Sequence, residues 1–483
     1  MLFNSLAYSV FLTVVFILYW TLPHKFRWIM LLAASYYFYM SWNPKLIILI
    51  LITTVVSYSC ARLMEYYSNQ RGVCKLLLTI GVGISISILF FFKYFNFFSD
   101  SVVEILKLFS LPVSEFTINI ILPVGISFYT FQTLSYVIDV YNKKIKAQSH
   151  FGIYALYVSF FPQLVAGPIE RSVNLLPQFF KKHTFDYEKA TYGLKMIAWG
   201  LFKKVIIADN LARYVNLVYN DISQYKGFAF ILATVFFAIQ IYCDFSGYSD
   251  IALGSAKLIG FDLMKNFNSP YFSKSIKEFW SRWHISLSTW FRDYVYIPLG
   301  GNRVAYSRLL FNLFATFLLS GLWHGANWTF VIWGAIHGLL LICEKIYNKF
   351  YKRNENTTNV IIDVVKICST FVVVCFAWIF FRANDVTDAL YGINSMFYGI
   401  GEPIKYVFSA FGLIGLGKVE LIKLVISVSL LAVFDAVHLK TDIFKKINQW
   451  NMFSRWAVYT AIIFFIMFTL PTDNSSEFIY FQF

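Results

Sequence analysis

Charged residues are scarce: Asp, Glu, Lys and Arg make up 14% of the 483 residues, where soluble domains carry about 25%. Hydrophobic residues take up the difference at 58%, against roughly 45–50% in soluble proteins. A water-soluble chain of this length could not cover its surface with polar groups, so the shortage of charge excludes that class and turns apolar surface toward lipid. Linkers, low-complexity tracts and a visible internal repeat of the transporter kind are also missing. The longest polar stretches, 167–191 and 344–359, are too short to fold alone. Any soluble domain that handles a large substrate is therefore expected on another protein. The six cysteines (60, 74, 243, 343, 368, 375) form no CxxC pair and no metal-ligand spacing. Most fall in apolar runs and read as small buried residues. The first run, Leu2 to Leu22, lacks the basic start and small-residue cleavage site of a signal peptide, and Pro23-His24-Lys25 follows it. It reads as a retained first helix.

What the chain has in quantity is long apolar runs, and about 20 helical residues cross a hydrocarbon core of roughly 30 Å. Candidate spans lie near 5–22, 26–41, 44–64, 76–98, 118–138, 151–166, 192–218, 228–260, 309–343, 360–381, 385–400, 420–437 and 453–471. The expected fold is an all-α polytopic membrane protein of roughly ten to twelve crossings plus re-entrant or interfacial helices. Residues 1–483 read as a single transmembrane domain, with 472–483 an extramembrane tail. The net charge of +15 does not indicate nucleic acid. The basic residues sit in clusters at helix ends (Lys25 and Arg27, Lys143-Lys144-Lys146, Lys181-Lys182, Lys203-Lys204, Lys445-Lys446), where they hold loops on the cytoplasmic side and meet anionic lipid.

Polar residues inside a membrane are costly, so they mark candidate function. Three segments carry them. The first is Gln240 to Asp250, with Asp244, Ser246, Gly247 and Asp250, inside the 33-residue run 228–260. As one helix that run would measure about 50 Å, so a break at Gly247 is expected. The segment reads either as a tunnel wall or as an interfacial helix end with its acids among head groups.

The second runs from Glu278 to Asp293. On one helix, Trp280, Trp283, His284, Leu287 and Phe291 share a face, with Glu278, Ser281, Arg282, Thr289 and Arg292 opposite. Residues 257–308 hold eight basic side chains against three acids. Such a segment anchors anionic lipid or forms a mouth that attracts an anionic acyl donor, and His284, pointing with the tryptophans, favours the second.

The third is Ser320 to Trp328, inside the 35-residue run 309–343. Gly321 and Gly325 bracket an expected bend. With about a dozen residues before it and about sixteen after, His324 falls near mid-membrane, beside Asn327 and two tryptophans. A histidine satisfied by a backbone carbonyl is the plain alternative. His337 lacks such company and reads as structural.

At these residues the sequence resembles the membrane-bound O-acyltransferase family, in its bacterial alginate O-acetyltransferase branch. The stretches that carry the likeness are Phe161-Pro162-Gln163-Leu164-Val165-Ala166-Gly167-Pro168-Ile169, Asp244-Phe245-Ser246-Gly247-Tyr248-Ser249-Asp250, Phe279 to Trp290, and Gly321 to Trp328. Arg292-Asp293-Tyr294, Tyr296 to Arg303 and the ending Phe478-Ile479-Tyr480-Phe481-Gln482-Phe483 extend it. Cys243 stands where an aromatic is expected. The resemblance places the family's near-invariant histidine at His324 and its second polar position at His284. Asp244, Trp283, Arg282, Arg292 and Asn327 would line the donor site or tunnel. It implies a central tunnel that receives acetyl coenzyme A or a carrier-bound thioester from the cytoplasmic side of the cell membrane, as a donor substrate and not a bound cofactor. The acceptor would be a hydroxyl of an exported or cell-surface polysaccharide. A separate extracytoplasmic esterase-like transferase, or another polymer-modifying protein, would complete delivery.

The residues agree with such chemistry. Acyl transfer to a hydroxyl needs a base, and neutral imidazole suits that task near neutral pH. No G-x-S-x-G elbow or Ser-His-Asp order is present, so direct transfer is simpler than a serine acyl-enzyme. Tyr480 carries the only hydroxyl of the terminal hexapeptide. Those rings either pack against neighbouring helices or a partner, or deliver Tyr480 to the tunnel as an acyl relay. Rival readings are a D-alanyl transferase for teichoic acid, of the same family, and a polysaccharide or lipid transporter with His324 and Asp244 as pathway residues.

Overall fold

The computed structural model describes residues 1–111, 117–118, 120, 122–165, 167–351, 359–469 and 478–479. Their regular elements are all helical, as a chain that must satisfy its backbone inside lipid requires. Among the described residues, six helices are long and apolar enough to cross a membrane: Pro44–Tyr66, Arg71–Leu108, Phe228–Leu258, Trp328–Phe350, Val360–Arg382 and Lys418–His438. Leu6–Thr21 is a shorter apolar helix. The chain is thus an all-α, multi-pass membrane protein.

The helices form two compact units. The first comprises Met1–Leu194 with Ala252–Met264, the second Lys195–Ile251 with Lys265–Phe483. In the first, a tyrosine cluster fills the core. The rings of Tyr136 and Tyr154 lie 4.5 Å apart, and Tyr154 donates to Ser57 Oγ at 2.7 Å. The 151–166 run does not form one helix. Phe151–Ser159 ends at Phe160, and Phe161–Leu164 restarts with Pro162 in its first turn. Proline has no amide hydrogen to continue the first helix, and its ring would clash with the carbonyl four residues back. The amides of Gln132 and Gln163 both reach the Tyr157 carbonyl, at 2.7 and 2.8 Å.

Three expectations are corrected, and each correction shapes the second unit. Phe228–Leu258 is one unbroken helix of 31 residues. Gly247 does not break it; a Cβ there would lie 2.8 Å from the Gly200 carbonyl and 3.2 Å from Lys204 N. The glycine admits a neighbouring backbone. Next, 309–343 is not a bent crossing but a hairpin of Tyr306–His324 and Trp328–Phe350. Gly321 and Gly334 face each other, and a Cβ on either would sit 3.0 Å from the other's Cα. The small residues draw the two helices together. His324 ends the first arm, so counting residues on either side of it no longer measures its depth. Finally, 278–293 is not one helix. Ile276–Arg282 and Ile285–Phe291 are separated at Trp283 and His284, and His284 takes φ 42° and ψ 54°. That left-handed backbone is uncommon outside glycine, and strain of this kind costs about 1–3 kcal/mol.

Candidate functional site

The break at His284 is held by Asn266. Its Oδ1 accepts from Ser286 Oγ at 2.7 Å and from Ser286 N at 3.3 Å, and it lies 3.1 Å from His284 Nδ1. The backbone joins in, since Ile285 N donates to Asn266 O at 2.9 Å. A backbone N–H can only donate, so the contacted Asn266 atom is the oxygen. His284 therefore carries its proton on Nδ1 and leaves Nε2 as its basic nitrogen.

His284 is fully buried and His324 is 2% exposed. Their ring centroids are 6.5 Å apart, so the two histidines, forty residues apart in sequence, share one aromatic cluster. Trp323 and Trp333 each lie edge-on to His324 at 5.0 Å and Phe381 at 5.3 Å, while Phe245 meets His284 at 4.7 Å. Trp283 is buried between Phe267, Phe279 and Trp378. His337 packs against the same Trp333 ring as His324, at 4.9 Å, and its Nδ1 accepts from Trp280 Nε1 at 3.3 Å. The hairpin turn next to His324 is closed by Asn327, which caps the following helix through Thr329 N at 2.9 Å and donates to the Asn384 carbonyl at 2.9 Å.

Asp244 belongs to a second buried cluster. Lys204 Nζ lies 2.6 Å from Asp244 Oδ1 and 2.9 Å from Asp209 Oδ1. The other Asp244 oxygen accepts from the backbone N of Ile479 at 2.7 Å. Phe478, fully buried, stacks on Tyr248 with centroids 4.3 Å apart, and Phe478 and His284 flank the same Phe245 ring. The described part of the C-terminal segment is thus packed into the second unit. Tyr480 lies outside the described residues, as do 470–477. Lys203 pairs with Asp250 at 2.7 Å and donates to Ser246 at 2.9 Å. The expectation that Lys203-Lys204 mark a helix end among lipid head groups is therefore overturned. Both sit buried in the π-helical segment Phe202–Ala208, paired with Asp209, Asp244 and Asp250 of the same unit. The sequence signal is a lysine pair in the middle of the apolar run 192–218, which locally reads as an interruption. Asn266, Ser286 and Asp209 carry no signal short of the fold.

The two arginines separate. Arg282 is tied to Glu278 one turn earlier. Arg292 pairs with Asp293 at 2.8 Å, is 59% exposed and borders a cavity of about 480 Å³. Lys277, Trp280, Ser281, Ser288 and Ser320 also line that cavity. Among the described residues no group of His, Cys, Asp and Glu could hold a metal ion.

The structure thus buries two histidines in one aromatic cluster of a helical membrane protein. The chain belongs to the membrane-bound O-acyltransferase family, whose model matches residues 142–384, a segment containing both histidines and the buried lysines. It is an O-acyltransferase. Among its relatives, the probable alginate O-acetylase AlgI of Pseudomonas aeruginosa is 40% identical over 82% of this chain and 75% of its own length. The peptidoglycan O-acetyltransferase of Helicobacter pylori is 36% identical over 76% of this chain and 73% of its own. The teichoic acid D-alanyltransferase of Bacillus subtilis is more distant, 31% identical over 55% of this chain and 70% of its own.

Proposed function

We propose that the chain moves an acetyl group from a thioester donor at the cytoplasmic face of the cell membrane toward hydroxyls of an exported or cell-surface polysaccharide. The observation that carries the reading is the pair of buried histidines 6.5 Å apart in an aromatic cluster. His324 takes the proton as the acceptor oxygen attacks the thioester carbonyl. The carbon–sulfur bond breaks, and the proton passes on to the departing thiolate. His284 is held by Asn266 with Nε2 basic, so it accepts a hydrogen bond from the bound donor or acceptor and orients it. The indole N–H groups of Trp283 and Trp333 are buried with no acceptor among the described residues. A bound acyl carbonyl satisfies such donors, which favours an acyl ligand over a purely apolar one. Arg292 and Lys277 border the cavity where an anionic donor enters.

Acetyl is favoured over D-alanyl because the relatives named for acetyl transfer match more of the chain at higher identity. Tyr480 is proposed as the hydroxyl that receives the acetyl group and hands it to an extracytoplasmic partner. Burial of Phe478 and Ile479 against Tyr248 and Asp244 supports this, because the chain one residue before Tyr480 is packed near His284 through the shared Phe245 ring. The test is His324→Ala in a strain whose surface polymer is assayed for ester-linked acetate. Loss of a positioned acid–base lowers turnover about 10²–10⁴-fold. A variant present at normal membrane levels that still acetylates fully refutes the assignment.

A further inference from the structure

The first unit holds a cavity that the acyl-transfer reading does not use. Its volume is about 1080 Å³, and it opens where Ile47–Tyr66 ends, Arg71–Leu89 begins and the loop after Ile126–Tyr141 passes by. The charged side chains lining it are Arg71, Lys143, Lys144, Lys146 and Glu65. Two of them are engaged: Glu65 with Arg62 at 3.0 Å, and Lys144 with Asp139 at 3.2 Å. Arg71, Lys143 and Lys146 have no carboxylate partner among the described residues, which leaves three cations facing one space.

The backbone adds a second observation. Lys143 has φ 58°. Its N–H reaches the Val140 carbonyl at 3.0 Å, and the next residue's N–H reaches the Asp139 carbonyl at 2.9 Å. This pair of bonds is the Schellman ending of a helix, whose left-handed position glycine ordinarily fills without strain. Here a lysine occupies it. Lys143 is exposed and lines the cavity, so this ending presents its ammonium group to that space.

Depth selects the ligand. Ile47–Tyr66 and Arg71–Leu89 lie within the candidate spans Pro44–Tyr66 and Arg71–Leu108. The residues joining them, 67–70, therefore sit where two crossings leave the hydrocarbon, in the head-group layer. We propose that this cavity binds the head group of an anionic phospholipid. Arg71 supplies a fork for phosphate oxygens, Lys143 and Lys146 supply point charges, and Ser68, Asn69 and Asn142 line the same space with groups suited to glycerol hydroxyls. At this depth lipid phosphate is the concentrated anion, which favours it over a soluble one.

The test is native mass spectrometry of the full chain released from detergent with phosphatidylglycerol, cardiolipin or phosphatidylcholine, together with competition by inorganic phosphate. The parent is expected to retain the two anionic lipids and release phosphatidylcholine. Each basic charge near a membrane surface contributes about fivefold in affinity, so Arg71→Gln, Lys143→Gly and Lys146→Gln together should weaken retention on the order of 100-fold. Lys143→Gly alone should weaken it while the melting temperature stays level or rises, because glycine relieves the left-handed backbone. Equal retention of phosphatidylcholine overturns the proposal, as does undiminished retention by the triple variant. Displacement of the lipid by millimolar phosphate assigns the site to a soluble anion and overturns it too. A parallel fall in melting temperature and retention for Lys143→Gly makes that lysine structural and removes it from the site.

Discussion

Lys204 is the side chain whose replacement the structure predicts most sharply. It is fully buried between Asp209 and Asp244, so Lys204→Met keeps most of the side-chain volume and leaves two carboxylates without their cation. Breaking a buried ion pair by removing one partner costs roughly 3–5 kcal/mol, because the remaining charge stays desolvated. Here one ammonium serves two acids, so the upper end of that range applies, and the variant should melt several degrees below the parent in detergent. The same loss should loosen the C-terminal segment, since Asp244 also holds the Ile479 N–H, and limited proteolysis should clip the terminus faster. The control is the neutral triple Lys204→Met, Asp209→Asn, Asp244→Asn, in which the oxygen of the new side-chain amide at position 244 still accepts from the Ile479 N–H. Replacing a whole buried ion cluster by neutral groups is often close to neutral in stability, so the triple should recover most of the melting temperature. A single variant as stable as the parent refutes the reasoning. A triple variant no more stable than the single one refutes it as well, by assigning the loss to packing.

Other expectations are shorter to state. Tyr480→Phe should abolish delivery of acetate to polymer without changing protein level; normal acetylation by Tyr480→Phe alongside failure of a 478–483 deletion would make the tail a docking peptide. Arg292→Ala should raise the KM for the donor more than it lowers kcat, because the charge attracts and does not react. Arg282→Ala should act through stability instead, through its pairing with Glu278. Equal effects of the two on KM would contradict the separation. Burial raises the Glu170 carboxyl to about 7, against hydrogen bonding from Met264 N and attraction to Arg171, which lower it. In the folded state it holds its proton above the ordinary carboxylate range. Its contribution to stability is therefore complete below about pH 4.5 and falls as pH rises through 7, by an amount on the order of 3 kcal/mol. Glu170→Gln should flatten the pH dependence of melting between about pH 5 and 8 and stabilise the alkaline end. An unchanged slope would count against burial as the cause.

Much of the protein is legible without coordinates. The membrane class follows from a charge shortage that no soluble surface tolerates, and the family follows from long contiguous motifs around Asp244, His284 and His324. These depend on composition and local order, which the sequence states directly. What it does not state is where a long apolar run turns. Hydropathy has the same value for a helix of about 50 Å, a bent crossing and a hairpin, and only the fit of one helix against another distinguishes them. Gly247 and Gly321 each look like a break in sequence, yet both serve close approach: the first leaves its helix unbroken, and the second packs against Gly334 while the chain turns four residues later. Likewise a helical wheel puts His284 in the middle of one face, whereas the fold breaks the helix there. Asn266, eighteen residues earlier in sequence, offers an oxygen that the regular helix could not reach. Lys203 and Lys204 read as membrane-surface charges because lysine in isolation belongs there. Tertiary structure reverses that reading, since their carboxylate partners at 209, 244 and 250 become neighbours only after folding. The sequence by itself determined the solvent and the chemistry-bearing residues. The tertiary structure decided which of them meet, because an ion pair or a histidine pair is a matter of distance, and distance between remote residues is set by packing.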